Sequence, residues 1–131
     1  MAVVDGNGLP LSVTVHSASP AEVRLAEQVV EAIPGTRKPE RLIGDKAYDS
    51  EKLVQTFAAK YSIELIAPNR RNKRRTQDGR PLRRYRRRWK VERFFAWLNN
   101  FRRLVTRWER QAENYLGFLH LACIVILLGH L

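Results

Sequence analysis

Tyr85-Arg-Arg-Arg88-Trp-Lys-Val-Glu92-Arg-Phe-Phe-Ala-Trp-Leu-Asn99 sets a single acid in a dense field of arginine. At about 100° per residue, Tyr85, Arg88, Glu92 and Asn99 fall within one narrow stripe of a helix surface. Val91, Phe94, Phe95, Leu98 and Phe101 form the apolar stripe beside it. The pattern predicts a helix over about residues 83–101, with Glu92 at the margin of the buried face. A carboxylate so placed does one of two things. It neutralises an arginine, or it holds a metal ion against a phosphate that the arginines attract.

The charge is concentrated around this helix. Residues 68–110 hold 17 of the 24 Lys and Arg residues and only 3 of the 13 Asp and Glu residues, so the whole excess behind the net charge of +11 lies there. A field of this strength draws in polyanions and makes their binding steeply salt-dependent. Arg70, Arg71, Lys73, Arg74 and Arg75, then Arg83 to Lys90, interleave with Tyr85, Trp89 and Trp97. Aromatic rings among cations can stack on exposed bases. The plain alternative is a solvated basic face or tail. The apolar stripe argues against a tail, because a window that carries one is expected to fold.

Length and composition bound the rest. The 131 residues make one domain or part of one, with 44% hydrophobic content, ordinary for a globular chain. The single cysteine, Cys123, lies in an apolar run and has no internal partner, so a cytosolic setting is expected. Met1-Ala-Val-Val-Asp lacks the basic start and long apolar stretch of a secretory signal. The segment from Tyr115 to Leu131 is the one membrane suspect. Gly117, His120, Gly129 and His130 interrupt it and it falls short of a spanning length, so it reads as a buried terminal helix starting near Glu113.

Along the chain, strands and helices alternate. Val3–Val4 and Leu11–Val15 are short β-rich runs flanking Asp5-Gly-Asn-Gly8, a hairpin-turn signal. Ser19-Pro20-Ala21-Glu22 is a capping box. The helix it opens runs to about Ile33, buries Val23, Leu25, Ala26, Val29, Val30 and Ile33, and stops at Pro34-Gly35. Arg41 to Gly44 reads as a strand ending at Asp45. Ser50 to about Lys60 reads as a helix presenting Leu53, Val54, Phe57 and Ala58, with Asp49 as its N-cap. Ile63–Ala67 is a further strand, closed by Pro68. Residues 69–80 read as a basic loop. The pattern predicts an α/β fold, a sheet covered by helices.

Asp45 is the second acid to single out, because ligand chemistry in open α/β folds gathers beyond strand ends. Its structural reading, a cap on the next turn or a partner of Lys46, stands equally well on spacing alone. His16, His120 and His130 show no metal-ligand spacing. Cys123 has no base near it in sequence and reads as core.

Two stretches make the chain recognisable. Gly44-Asp45-Lys46-Ala47-Tyr48-Asp49-Ser50 resembles the second-aspartate motif of DDE transposases of bacterial insertion sequences. Tyr85-x2-Arg88-x3-Glu92-x6-Asn99 resembles their Tyr-Arg-Glu-Lys signature around the third acid. The flanks, Val3 to Leu11, Asn100-Phe-Arg-Arg103 and Tyr115 to Ala122, look similar too, so the resemblance spans nearly the whole chain. It implies an RNase H-like mixed sheet with flanking helices, a late catalytic helix and a C-terminal apolar helix. It further implies three carboxylates around two Mg²⁺ ions, which activate a nucleophile and stabilise the leaving oxygen. Mapped here, Asp45 and Glu92 are catalytic and metal-binding. Tyr85 and Arg88 support the site or contact a DNA end, and Lys90, Asn99, Arg70, Arg71, Lys73, Arg74 and Arg75 hold phosphates. The partners implied are double-stranded DNA and further copies of the complete enzyme, in the bacterial cytoplasm at the nucleoid, with no membrane.

Two departures accompany the resemblance. The lysine that closes the signature is Asn99 here. The first aspartate, which the family carries on an early strand, has no counterpart. Asp5 is the one acid near the start, and it reads as a turn residue. Residues 1–131 are therefore expected to be part of the catalytic domain, truncated on its N-terminal side. Such a segment would be inactive without an upstream half, either a second reading frame joined by frameshifting or a remnant. Three classes stay open: a transposase catalytic segment, a noncatalytic DNA-binding remnant or regulator, and a basic RNA-binding or assembly protein. The third predicts preference for RNA over duplex DNA, whereas the first two predict that duplex DNA competes at least as well. A competition titration at matched salt separates them.

Overall fold

Asp5 organises the first turn: its Oδ1 accepts from the backbone N–H groups of Asn7 and Leu9, each at 2.8 Å, and Gly8 adopts φ 88°. The turn joins β1 (Ala2–Val4) to β2 (Pro10–Val13), antiparallel, with Ala2 opposite Val13 and Val3 opposite Ser12. The period of two sends Val3 and Ser12 to one side and Ala2, Val4 and Val13 to the other. Each side meets its own core. Val3 packs with Ala26, Val29, Val30, Leu53 and Phe57, while Val13 packs with Phe94, Leu98, Leu119 and Ile126. The computed structural model describes residues 1–17, 22–69 and 79–131, apart from the side chains of residues 22–24 and 80–82.

Helix α1 (Glu22–Glu31) buries Leu25, Ala26, Val29 and Val30, and Ile33 follows it into the core. The buried Ser12 hydroxyl donates to the Val29 carbonyl at 2.6 Å, tying the hairpin to the end of this helix. Ser19, Pro20 and Ala21 of the predicted capping box, and the side chain of Val23, lie outside the described residues. Strand β3 (Arg41–Ile43), helix α2 (Glu51–Tyr61) and strand β4 (Glu64–Ile66) form a β-α-β unit. The two strands are parallel, with Leu42 beside Leu65. Ser50, not Asp49, caps α2, its Oγ accepting from the Leu53 N–H at 3.5 Å, whereas Asp49 closes the 3-10 turn Lys46–Tyr48. Leu53 and Phe57 are buried as expected, but Val54 and Ala58 face solvent. Helix α2 packs on one side only, so its buried stripe is narrow.

Among the described residues the strands form two separate two-stranded sheets, β1–β2 and β3–β4, rather than the single mixed sheet expected. Among the described residues no strand lies between β1 and β3. A cleft of about 400 Å³ runs there instead, lined by Val3, Val4, Leu42 and Ile43.

The helix expected over 83–101 is a jointed path. Helix α3 (Gly79–Tyr85) leads through a 3-10 turn, Arg86–Arg88, into α4 (Trp89–Leu98), so Gly79 and Arg80 belong to a helix rather than to the basic loop. The tighter turn sits inside the arginine run. Helix α4 ends at the turn Asn99-Asn100, and α5 (Arg102–Val105) starts anew. Phe94 and Leu98 are buried, but Phe95 is substantially exposed at the rim of the clefts. Helix α6 (Ala112–Leu128) covers α4 with Leu119, Ala122, Cys123 and Ile126. No helix among the described residues is long and apolar enough to cross a membrane.

Helix α2 ends with Ser62 at φ 55°, its N–H bonded to the Ala58 carbonyl and the Ile63 N–H to the Phe57 carbonyl at 3.0 Å. This is the left-handed cap that glycine favours, and a side chain there costs about 1 kcal/mol. Ser62→Gly is expected to raise stability by about 0.5–1 kcal/mol, read as a higher urea midpoint with unchanged slope.

Candidate active site

Arg88 lies where three elements meet. The 3-10 turn sets residues three apart nearly in register, and Arg88 Nη1 donates to the Tyr85 hydroxyl at 3.1 Å. One turn on, Arg88 Nη2 is 3.6 Å from Glu92 Oε1. Asp45, beyond the end of β3, shares a cleft of about 310 Å³ with Arg88, Val91 and Phe95. The arginine is held more firmly cationic than usual, first by its hydrogen bond to Tyr85, then by the fields of Tyr85, Glu92 and Asp45. One guanidinium thus feels both acids singled out in the sequence.

Each acid keeps an oxygen for a ligand. Asp45 Oδ1 accepts from the Ala47 N–H at 2.7 Å, capping the turn Lys46–Tyr48. The capping and ligand-site readings of Asp45 are therefore compatible, since one oxygen serves the turn. Glu92 stands on the outer rim, its side chain mostly exposed. Two hard carboxylates suit Mg²⁺, which fills its remaining positions with water and phosphate oxygens. Among the described residues no three His, Cys, Asp or Glu side chains are grouped to hold a metal. Asp45 lines the cleft beside Arg88, and Glu92, which does not line it, reaches the same guanidinium from outside.

The other expected residues divide. Asn99 closes α4 about 10 Å along the axis from Glu92, on a separate cavity with Thr14, His16 and Tyr115. Lys90 Nζ and the Arg93 guanidinium donate to the carbonyls of Gly6 and Asn7 in the hairpin turn. Lys90 is thus engaged within the chain as well as lining the basic cleft with Arg41, Arg84, Arg87 and Arg88. Asp5 is a turn residue, as its spacing suggests. Arg70, Arg71, Lys73, Arg74 and Arg75 lie outside the described residues.

Sequence reasoning missed Arg93. Its guanidinium lies between the rings of Trp89 and Trp97, 4.8 and 4.9 Å from their centroids, and Trp97 stacks on His130 at 5.1 Å. The spacing of Trp89, Arg93 and Trp97, four residues apart on one helix face, was the available signal.

The chain matches the family described as the transposase DDE domain over residues 1–127, and it belongs to that family. It is 36% identical over 132 residues to a protein of Burkholderia cepacia named as a transposase for insertion sequence element IS402, with 95% of this chain covered. It is 32% identical over 127 residues to a Brucella ovis protein named as a transposase for element IS6501. The chain spans 59% of the Burkholderia relative and 93% of the Brucella one. No solved structure matches it.

A Cβ on Gly8 would lie 2.9 Å from Arg93 Nη2, at a φ of 88° that also disfavours side chains. Gly8→Ala is expected to cost about 1–2 kcal/mol and to displace Arg93 from the tryptophans. Chemical denaturation and tryptophan emission of the folded protein check both.

Proposed function

We propose that residues 1–131 are part of the catalytic domain of an insertion-sequence transposase, contributing two of three metal-binding carboxylates, Asp45 and Glu92. The observation that carries this reading is the convergence on Arg88 of acids from two elements separated in sequence, at the mouth of a basic cleft. Mg²⁺, when bound, supplies the Lewis acidity and activated nucleophile for attack on phosphorus. The chain's own residues do the rest. Arg88 holds the acids in register and neutralises a scissile phosphate. Tyr85 keeps Arg88 in place. Arg84, Arg87 and Lys90 position the DNA backbone. The partner is double-stranded DNA, transposon end and target, at the nucleoid in the cytoplasm.

The cleft between β1 and β3 supports the reading that an upstream segment completes an RNase H-like sheet and brings the third acid. Strand cleavage and transfer would then require the longer protein, and the unpaired strand edges would leave the isolated part marginally stable or prone to association. A second reading, a noncatalytic DNA-binding remnant or regulator, is favoured by the absence of a three-acid cluster among the described residues.

Glu92→Gln in the full-length transposase separates the two. The catalytic reading expects excision and integration to fall by about 10–100-fold or more, the range for losing even a group that supports a metal ligand, with DNA binding equal or slightly tighter. Unchanged transposition in this variant contradicts it.

A further inference from the structure

Asp45 follows the bond from the Gly44 N–H to the Ile66 carbonyl at 2.9 Å, where β3 leaves the sheet. Its cap on the Ala47 N–H fixes one carboxylate oxygen, but that bond stays within the turn itself. The tie to the rest of the protein runs through Tyr48. The Tyr48 N–H donates to the Asp45 carbonyl at 3.1 Å and closes the turn. Its side chain folds back over the strand end. Tyr48 Cβ, Cγ and Cδ2 each lie 3.0 Å from where a Cβ on Gly44 would stand. The same side chain packs against the core that holds Val29, Leu53, Phe57 and Leu65. Among the described glycines only Gly8 and Gly35 have positive φ, so space rather than backbone conformation calls for glycine at 44.

We propose that Tyr48 is a positioning residue for Asp45, pressing on Gly44 from the core and so fixing the direction of the carboxylate. The inference rests on the reading of Asp45 as a metal-binding acid. Strand β3 has three residues and pairs with β4 alone among the described residues, a short base for a side chain beyond its end. Gly44 and Asp45 share one peptide unit, so a group that presses on Gly44 acts on the backbone that aims the acid. Tyr48 and Asp45 line the same cleft beside Arg88, and a shift of the turn would move the acid against the guanidinium. A metal-binding group must stand within about 0.5 Å of its working position. A misplacement of about 1 Å can cost about a hundredfold in rate. A tyrosine that served the core alone would have no need of the approach to Gly44.

A double-mutant cycle between positions 44 and 48 of the full-length transposase tests it. Gly44→Ala sets a methyl against the ring and should slow strand cleavage at saturating DNA by about 10–100-fold, with KM for DNA within about twofold. Tyr48→Ala should do the same, whereas Tyr48→Phe keeps the ring and should stay within about threefold of wild type. In the Tyr48→Ala background Gly44→Ala should cost less than about twofold, because the turn can then give the few tenths of an ångström that the methyl needs. Effects that multiply would mark a tyrosine that serves the core alone and would overturn the proposal. Should Tyr48→Ala fail to fold, Tyr48→Met takes its place, since methionine fills core gaps without a flat ring. Hydrogen exchange of the Ala47 amide follows the Asp45 cap without metal or DNA. It should quicken by about tenfold or more in Gly44→Ala and in Tyr48→Ala, but not in Tyr48→Phe. Unchanged exchange at Ala47 overturns the proposal whatever cleavage does. If exchange follows the cycle while cleavage ignores every variant, the positioning stands and the reading of Asp45 as a metal ligand fails.

Discussion

Arg88 is the residue on which the arrangement of the site depends. A guanidinium is always charged and offers donors in a fixed fork, so it can serve several acceptors without changing its protonation. Here the fork reaches Tyr85 behind it and Glu92 ahead, with Asp45 across the cleft. The 3-10 turn makes this possible by aligning Tyr85 with Arg88. Arg88 is thus an internal counterion for both acids, and an anionic phosphate would compete with them for its donors.

The second constraint is the density of positive charge on one helical path. A run of like charges is destabilising unless its members find acceptors. The Asp5–Gly8 turn supplies two of these, the carbonyls of Gly6 and Asn7, to Lys90 and Arg93. Two tryptophan rings shield Arg93 further. The hairpin and α4 are thus joined by charge as well as by the packing of Val13 against Phe94. Glycine at position 8 lets them approach closely, with a φ and a spacing that a side chain would not accept. The cations that stay outward, Arg83, Arg84, Arg86 and Arg87, form the face that a polyanion would meet.

Much of this was readable from local chemistry. The hairpin turn follows from Asp5-Gly-Asn-Gly8, and the β-α-β unit from apolar runs of strand length flanking a period of 3.6. Glu92 stood out as a lone acid among arginines, and Asp45 as an acid at a strand end, where the capping role it does play was an equally good reading. What was not readable came from tertiary context. The 3-10 turn at Arg86–Arg88 interrupts a stripe that a periodicity count reads as one helix. Val54 and Ala58 face water because α2 packs on its neighbours only through the face that carries Leu53 and Phe57, a fact no single helix encodes. Asp49 lost the capping role to Ser50, one residue on, within the usual margin for helix boundaries. Among the described residues no strand bridges the two sheets, and pairing across such a gap cannot be read from either strand alone.

Titration with Mn²⁺, observed through paramagnetic broadening of backbone amides, reads out whether Asp45 and Glu92 share one cation. With a shared cation, residues 44–48 and 88–95 broaden together, at the same low metal concentration, and Mg²⁺ reverses both. Broadening of only one of these segments, or of neither before other acids on the surface, would contradict a shared cation.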